Sequence, residues 1–454
     1  MVVILGAGIT GMSAACRLAQ NGIDVVVIEK EPNLGGLACS TVRNGATFDF
    51  GAHAFVFYDE MKDALYSIVG DSKVNIFEKN VKIKFGGKYY QYPLDAIDIL
   101  LKSNPMMTLL CLVDYIIAQF KLKFGSPIDD SAESWIINRF GKSLYKIYFE
   151  NYTEKVWGIH PRHISPSFTE ERIPLLNIPA ALRKTVKGVS GMLTKKQASK
   201  SSHSKELFYP EKGLIFFFKQ LEDPVLKNQG VIHHNSEITG LQLEERKVKA
   251  VFFEKEGEEH EIECDYVIST IPINDLINSI TPKLDDSILT AADLLKFRAL
   301  IFVNLLVKRE EIFDSLWIYF RDRIFNRVSE MNKFSNEIVP DGRTALVAEI
   351  TCDKDDELWS MEEAKLCNEV VKELEEEGFI AGEDVCDAFV TRYEHGYPVA
   401  DLDYERNRKL LHDFTESTEN LFVAGRQGLF RYLRMDQCMK LGFSAAEQII
   451  SGKV

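Results

Sequence analysis

The chain of 454 residues lacks several features that would direct it to other chemistry. Its eight cysteines are Cys16, Cys39, Cys111, Cys264, Cys352, Cys367, Cys386 and Cys438. None forms a C-x-x-C pair, and none stands with histidine at zinc-ligand spacing, so no metal site is expected. There is no excess of positive charge. Lys and Arg number 54 against 68 Asp and Glu, and the net charge of −14 excludes broad, non-specific nucleic-acid binding. A locally basic pocket for a small anion stays open. No Ser/His/Asp constellation, carboxylate pair or internal repeat is evident. The first strand begins at Val2, so no signal peptide is expected, and free thiols in a cytoplasmic chain follow. No run of about twenty apolar residues, the length a spanning helix needs, is present. The nearest, Met106–Phe120, is interrupted by Asp114. Within it Leu109, Leu110, Val113, Ile116, Ile117 and Phe120 recur at helical spacing. A buried amphipathic helix is the expectation, with interfacial membrane contact as the alternative.

What is present begins at residue 2. VVILGAGITGMSAACRLAQNGIDVVVIEK carries Gly6, Gly8 and Gly11 between an apolar strand and a helix with Met12, Ala15, Leu18 and Ala19 on one face. Gly6 allows the tight turn, Gly8 lets backbone N–H groups approach a pyrophosphate, and Gly11 lets the helix pack on the strand. A second apolar run, Val25–Ile28, ends in Glu29, placed to accept from a ribose 2′-hydroxyl. An acid there disfavours a 2′-phosphate, so NADP is a poor ligand for this motif. Gly35 and Gly36 offer a further close backbone approach.

At about 150 residues per domain the length suggests two or three units. Helices are expected over 61–69, 94–103, 108–121, 132–140 and 143–149. The polar segment 186–206 has no apolar period and reads as a mobile loop. Residues 231–235, 236–244, 247–254 and 258–263 read as hairpin strands. Residues 264–272 form an apolar strand ending in a Thr-x-Pro turn, and alternation over 298–351 suggests a second sheet. Residues 361–377 form an acidic helix with a solvated face. The expected class is α/β. A discontinuous nucleotide domain (1–60, 206–275 and 415–454) would be interleaved with an α+β substrate domain (61–205 and 276–414).

The Gly35-Gly36 pair resembles FAD-binding proteins of the amine oxidase and protoporphyrinogen oxidase superfamily. FDFGAHAFVF (48–57), YFENYTEKVWGIHP (148–161), FTEERI (168–173), IFNRVSEMNKFSN (324–336), YEHGYPV (393–399) and NLFVAGRQGLFRYLRMD (420–436) follow in order. Together they resemble UDP-galactopyranose mutases and their flavoprotein relatives. This resemblance implies noncovalent FAD, with Lys30, Leu37 and Ile238 joining the glycines and Glu29 around it. Gly51, Ala52 and His53 would lie against the reactive side of the flavin, Gly425 and Arg426 beside it, and Met435 and Asp436 at the start of a helix facing it. Tyr152, Thr153 and Trp157 would meet the nucleotide base; the alternative for the two aromatics is helical core. Arg172 and Arg327 would clamp a diphosphate, with Glu330 as orienting partner or structural group, and a surface ion pair is the plain alternative for each arginine. Tyr397 and Tyr432 would reach the same diphosphate.

Two departures bear on the sugar. Arg434 stands where related mutases carry an acid, and Pro93-Leu94-Asp95 replaces an asparagine common in bacterial ones. The resemblance implies a pyranose/furanose mutase that uses reduced FAD as nucleophile on a UDP-sugar or related sugar nucleotide. NAD(P)H is a possible electron donor and oligomerisation is open. The alternative is an oxidase or desaturase of the protoporphyrinogen or amine oxidase type, acting on an apolar substrate. A third reading is a flavoprotein without catalysis.

Overall fold

The computed structural model describes residues 1–57, 61–70, 73–92, 98, 102, 104–125, 127–172 and 206–452, apart from the side chains of Phe85, Glu171 and Arg172. The loop expected over 186–206 lies outside these residues except for Glu206, which opens the strand Glu206–Pro210. The helix expected over 94–103, and Pro93-Leu94-Asp95, lie almost wholly outside them as well.

Val2–Leu5 and Val25–Ile28 are buried at every residue. Continuous apolar, largely β-branched runs of this kind suit a parallel strand covered on both faces. They sit in a five-stranded parallel sheet in the order 421–423, 266–269, 2–5, 25–28, 231–233. One expectation is corrected here. Val231–His233 does not belong to a hairpin but pairs parallel with Val26–Ile28 at the sheet edge. The antiparallel strands 236–244, 247–255 and 258–263 form a separate four-stranded sheet with Ile280–Thr281.

The helix Ile9–Gln20 packs between Met435–Ile450 and Gly213–Lys227. A Cβ at Gly11 would lie 2.0 Å from the Gly6 carbonyl oxygen, so no side chain fits where this helix leaves the turn.

A seven-stranded sheet stands beside the nucleotide sheet, in the order 385–398, 297–307, 344–352, 327–330, 317–320, 81–85, 88–91. Phe297–Val307 is buried at all but its first residue. The alternation seen in sequence therefore marks two covered faces of a central strand rather than one wet face. One face shares a continuous core with the nucleotide sheet through Leu300, Phe302 and Val347. The other is covered by the acidic helix Glu363–Glu376, which buries Leu366, Val370 and Leu374 and turns its charges outward.

A helical cluster is built on Tyr115, Trp135, Phe140 and Tyr145. The helix Pro105–Phe124 belongs to it, and here a second expectation is corrected. The helix buries only Cys111, Tyr115 and Ala118, while Met106, Leu109, Leu110, Ile116, Ile117 and Phe120 are exposed. Helical spacing identifies a shared face but not which way that face turns. The smaller inner set is what packs on the protein.

Candidate functional site

A cavity of about 670 Å³ runs from the nucleotide motif to the seven-stranded sheet. Gly6, Gly8, Glu29, Lys30, Gly35, Gly36, Leu37 and Ile238 line one part of it. A Cβ at Gly8 would meet nothing closer than the Gly35 carbonyl oxygen at 3.9 Å, so this glycine is not demanded by packing. It leaves the helix N-terminus open to a ligand, which is what a pyrophosphate requires.

Glu29 is buried at the end of its strand. The Ala7 N–H donates to its Oε2 at 2.6 Å and the Glu31 N–H to its Oε1 at 2.9 Å. Burial pushes its carboxyl above the ordinary range, and these two backbone donors oppose that. Glu29 thus ties the glycine turn to its own strand, and each oxygen keeps a further lone pair for a ribose hydroxyl.

The far part is lined by His53, Lys79, Trp317, Arg327, Glu349, Tyr397, Arg426, Tyr432 and Arg434. Arg327 and Glu349 form a buried ion pair. Burial acts to raise the Glu349 carboxyl, but Arg327 and the hydrogen bonds outweigh it and hold it below the ordinary range. Tyr397 Oη donates to Glu349 Oε1 at 2.6 Å. Arg327 Nε is buried and has no hydrogen-bond partner among the described residues. A guanidinium held through Nη2, with Nε unpartnered, suits an oxyanion.

His53 is neutral. Burial, then Arg327 and Arg426, bring it down to about 4. Its Nε2 lies 2.8 Å from the Phe50 carbonyl, which can only accept, so Nε2 carries the proton and Nδ1 is the acceptor. Arg426 lies 4.4 Å from the Tyr432 ring centroid and donates through Nε to the Leu433 carbonyl at 3.0 Å. Gly425, Met435 and Cys438 also border the cavity, so the helix Met435–Ile450 begins at its wall. Asp436 is buried beside it and pairs with Arg434 at 2.9 Å.

The aromatic trio is split. Trp157 does not line the cavity but backs it, with ring centroids 5.7 Å from Tyr397 and 6.1 Å from Tyr432. Tyr152 packs edge-on against Tyr319 at 6.1 Å, and Thr153 is half-buried on the same helix turn. Arg172 closes the helix Pro166–Arg172, and its side chain lies outside the described residues.

Glu330 is not the partner of Arg327. It accepts from the Phe313 N–H at 3.1 Å, and burial raises it to about 7. The partner is Glu349, which sequence reasoning missed. Its signal is a single acid within the apolar run ALVAEITC, since a buried carboxylate needs a cation. Lys79 was also missed; burial and the nearby Arg434 lower its pKa.

The pattern of the family described as "Flavin containing amine oxidoreductase" matches residues 9–450. The chain belongs to this family. It is a flavin-dependent enzyme of the amine oxidase superfamily, and the nucleotide part of the cavity has the open glycine turn and buried acid that FAD requires. A probable UDP-galactopyranose mutase of Klebsiella pneumoniae is 26% identical over 179 residues, 38% of this chain and 45% of that protein. A 4,4'-diapophytoene desaturase of Staphylococcus aureus is 39% identical over 62 residues, 14% of this chain and 12% of that protein. These matches span less than half of the relatives' own lengths. Among solved structures, a reduced UDP-galactopyranose mutase superposes with a TM-score of 0.86 at 19% identity, covering 99% of this chain and 95% of that one. A putative protoporphyrinogen oxidase from Exiguobacterium gives 0.73 at 16%, covering 99% and 98%. The flavoprotein shares their two-domain α/β fold.

Proposed function

We propose that this flavoprotein interconverts the pyranose and furanose forms of a sugar nucleotide. The observation that carries the reading is the cation set at the far end of the cavity. Lys79, Arg327, Arg426 and Arg434 converge there with Tyr397 and Tyr432, in a chain whose net charge is −14. Charge so placed suits a diphosphate and not an apolar amine or polyene. Bound and reduced, the flavin would supply an electron-rich nitrogen as nucleophile toward the anomeric carbon.

The chain's own part is positioning and electrostatics. In the net reaction the bond from the anomeric carbon to the diphosphate oxygen breaks and re-forms, and the ring closes through a different sugar hydroxyl. Arg327, fixed by Glu349 through Nη2, offers its other N–H donors to the departing diphosphate. Arg172 is proposed as the second clamp. Tyr397 and Tyr432 supply hydroxyls, and Trp157 holds both rings from behind. Because the Tyr397 proton is directed at Glu349, its hydroxyl must turn to reach a phosphate oxygen. His53, neutral and hydrogen-bonded at Nε2, presents an acceptor at Nδ1 and brings no charge near the flavin.

The deciding experiment incubates the purified protein with UDP-, GDP- and dTDP-sugars, oxidised and after dithionite or NAD(P)H. The expected result is sugar-nucleotide isomerisation only after reduction, without net flavin oxidation. Peroxide release on an apolar amine, polyene or porphyrinogen, with no isomerisation by the reduced protein, would overturn the proposal.

A further inference from the structure

The helix Pro105–Phe124 presents an outward apolar stripe. Met106, Leu110, Val113, Ile117, Phe120 and Phe124 follow one another at intervals of three and four residues, and each is 46–67% exposed. Leu109 and Ile116 widen the stripe on one flank. At about 100° per residue these side chains occupy an arc of about 120°. The buried residues Cys111, Tyr115 and Ala118 lie on the opposite side. Ile128, at 78% exposure, extends the apolar surface just beyond the helix.

Charge frames this stripe. On the same projection Lys121 falls at one border and Lys123 at the other, both exposed in the last turn. The stripe itself holds no acid. The only acidic side chain of the helix, Asp114, lies outside it and accepts from Ser143 Oγ at 2.5 Å and Ser143 N–H at 2.9 Å. Lysines at the edges of an apolar face can bury their stems and raise their ammonium groups toward phosphate.

We infer that this face docks on a lipid surface containing anionic headgroups, with the helix lying in the interface plane. Length would allow twenty helical residues to cross a bilayer. The inner side is committed to the protein through Tyr115 and Asp114, so the helix cannot be surrounded by lipid. A monotopic seating uses both sides at once, with protein on one and acyl chains on the other. The lysine borders favour lipid over a second copy, since a like face would bring no carboxylate to meet them. The proposal is independent of the reaction assigned to the cavity, and its test reads binding rather than turnover.

The full chain, loaded with flavin, is floated with vesicles of phosphatidylcholine alone and with phosphatidylcholine containing phosphatidylglycerol at 30 mol% (about the anionic fraction that gives a strong surface potential). Flotation with the anionic vesicles is expected, falling several-fold at about 1 M salt. Ile116→Asp with Phe120→Asp should lower the bound fraction about fivefold or more, and Lys121→Glu with Lys123→Glu should lower it on anionic vesicles only. Both sites are exposed, so flavin content should not change. Phe120→Trp gives a second readout that tolerates any folding defect of the Asp variants: its fluorescence should be quenched by brominated lipid. No flotation with either vesicle, or an unquenched Trp at 120 in floated protein, would overturn the proposal. So would an apolar-face variant that abolishes a dimer in light scattering but leaves flotation unchanged, which would assign the face to a second copy.

Discussion

Arg327 and Glu349 stand directly opposite one another on adjacent antiparallel strands, and their side chains pair in the wall of the cavity. Tyr397 and Asn326 donate to the same carboxylate, so one acid organises three neighbours. Breaking a buried pair from one side leaves an uncompensated charge, which costs about 3–5 kcal/mol.

Glu349→Ala should therefore lower unfolding stability by that amount in urea titration. Glu349→Gln, which keeps an acceptor for Tyr397, should cost less. If the diphosphate reading holds, saturating UDP should recover part of the Glu349→Ala loss, because the anion meets the abandoned Arg327. A variant as stable as the parent, with or without nucleotide, would count against both the pair and the reading.

Gly8 and Gly11 belong to one motif but should fail differently. Gly11→Ala places a methyl 2.0 Å from a backbone oxygen, and overpacking of this kind costs about 1–3 kcal/mol or more. Gly8→Val meets little protein and intrudes where a pyrophosphate would sit. The first variant should lose thermal stability even when flavin is supplied in excess. The second should fold, with an apoprotein melting point near the parent's, and come off the column colourless. Equal flavin content in Gly8→Val and the parent would contradict this assignment.

The nucleotide end of the cavity is legible in the sequence because its geometry is local. Gly6 to Glu29 spans one β-α-β unit, and the spacing of glycines and acid is dictated by a turn and a helix N-terminus. The pairing of Arg327 with Glu349 is not local. It depends on strand register between 327–330 and 344–352, and sequence spacing instead suggested the nearer Glu330, whose carboxylate meets the Phe313 backbone. The same limit explains Val231–His233, whose strand character is visible but whose neighbour across the sheet is set by the crossover topology. It also explains Pro105–Phe124, where periodicity reveals the stripe and only packing decides that Cys111, Tyr115 and Ala118 face inward. The substrate-side residues were reached through family resemblance, and Lys79 and Glu349 had no such pointer.

Asp49 offers a pH test. It is fully buried, accepts from Ser40 Oγ at 2.6 Å and Tyr209 Oη at 2.7 Å, and burial raises it to about 7. Between about pH 4 and 7 the folded protein therefore holds a proton that the unfolded chain has released. Stability from this group is full below pH 4 and falls as pH rises through 7, at up to about 1.4 kcal/mol per pH unit. His53, lowered to about 4, contributes the opposite slope between 4 and 6.5. Asp49→Asn removes only the first. Its stability relative to the parent should therefore improve from pH 4 to 7 in parallel urea titrations. A constant difference across that range would show that Asp49 ionises normally.

Arg434 lines the cavity at the position where an acid is expected from the related mutases, and it is paired with Asp436. The pair fixes the guanidinium through Nε and Nη2, at 3.1 and 2.9 Å, and partly offsets its charge. The guanidinium so held still borders the cavity and keeps a positive field at its wall. A carboxylate-bearing sugar should therefore bind better than its neutral counterpart. The preference should be modest, because the Arg434 side chain is 39% exposed and a screened contact contributes about 0.5–1 kcal/mol. Competition for flavin-fluorescence change between UDP-glucuronate and UDP-glucose should show a several-fold ratio in the parent. Arg434→Ala should bring that ratio toward one, leave UDP itself bound through Arg327, and release Asp436, whose negative charge at the wall then works against the acidic sugar. Equal ratios in parent and variant would remove Arg434 from sugar selection. A ratio below one in the parent would show that Asp436, and not Arg434, dominates the field there.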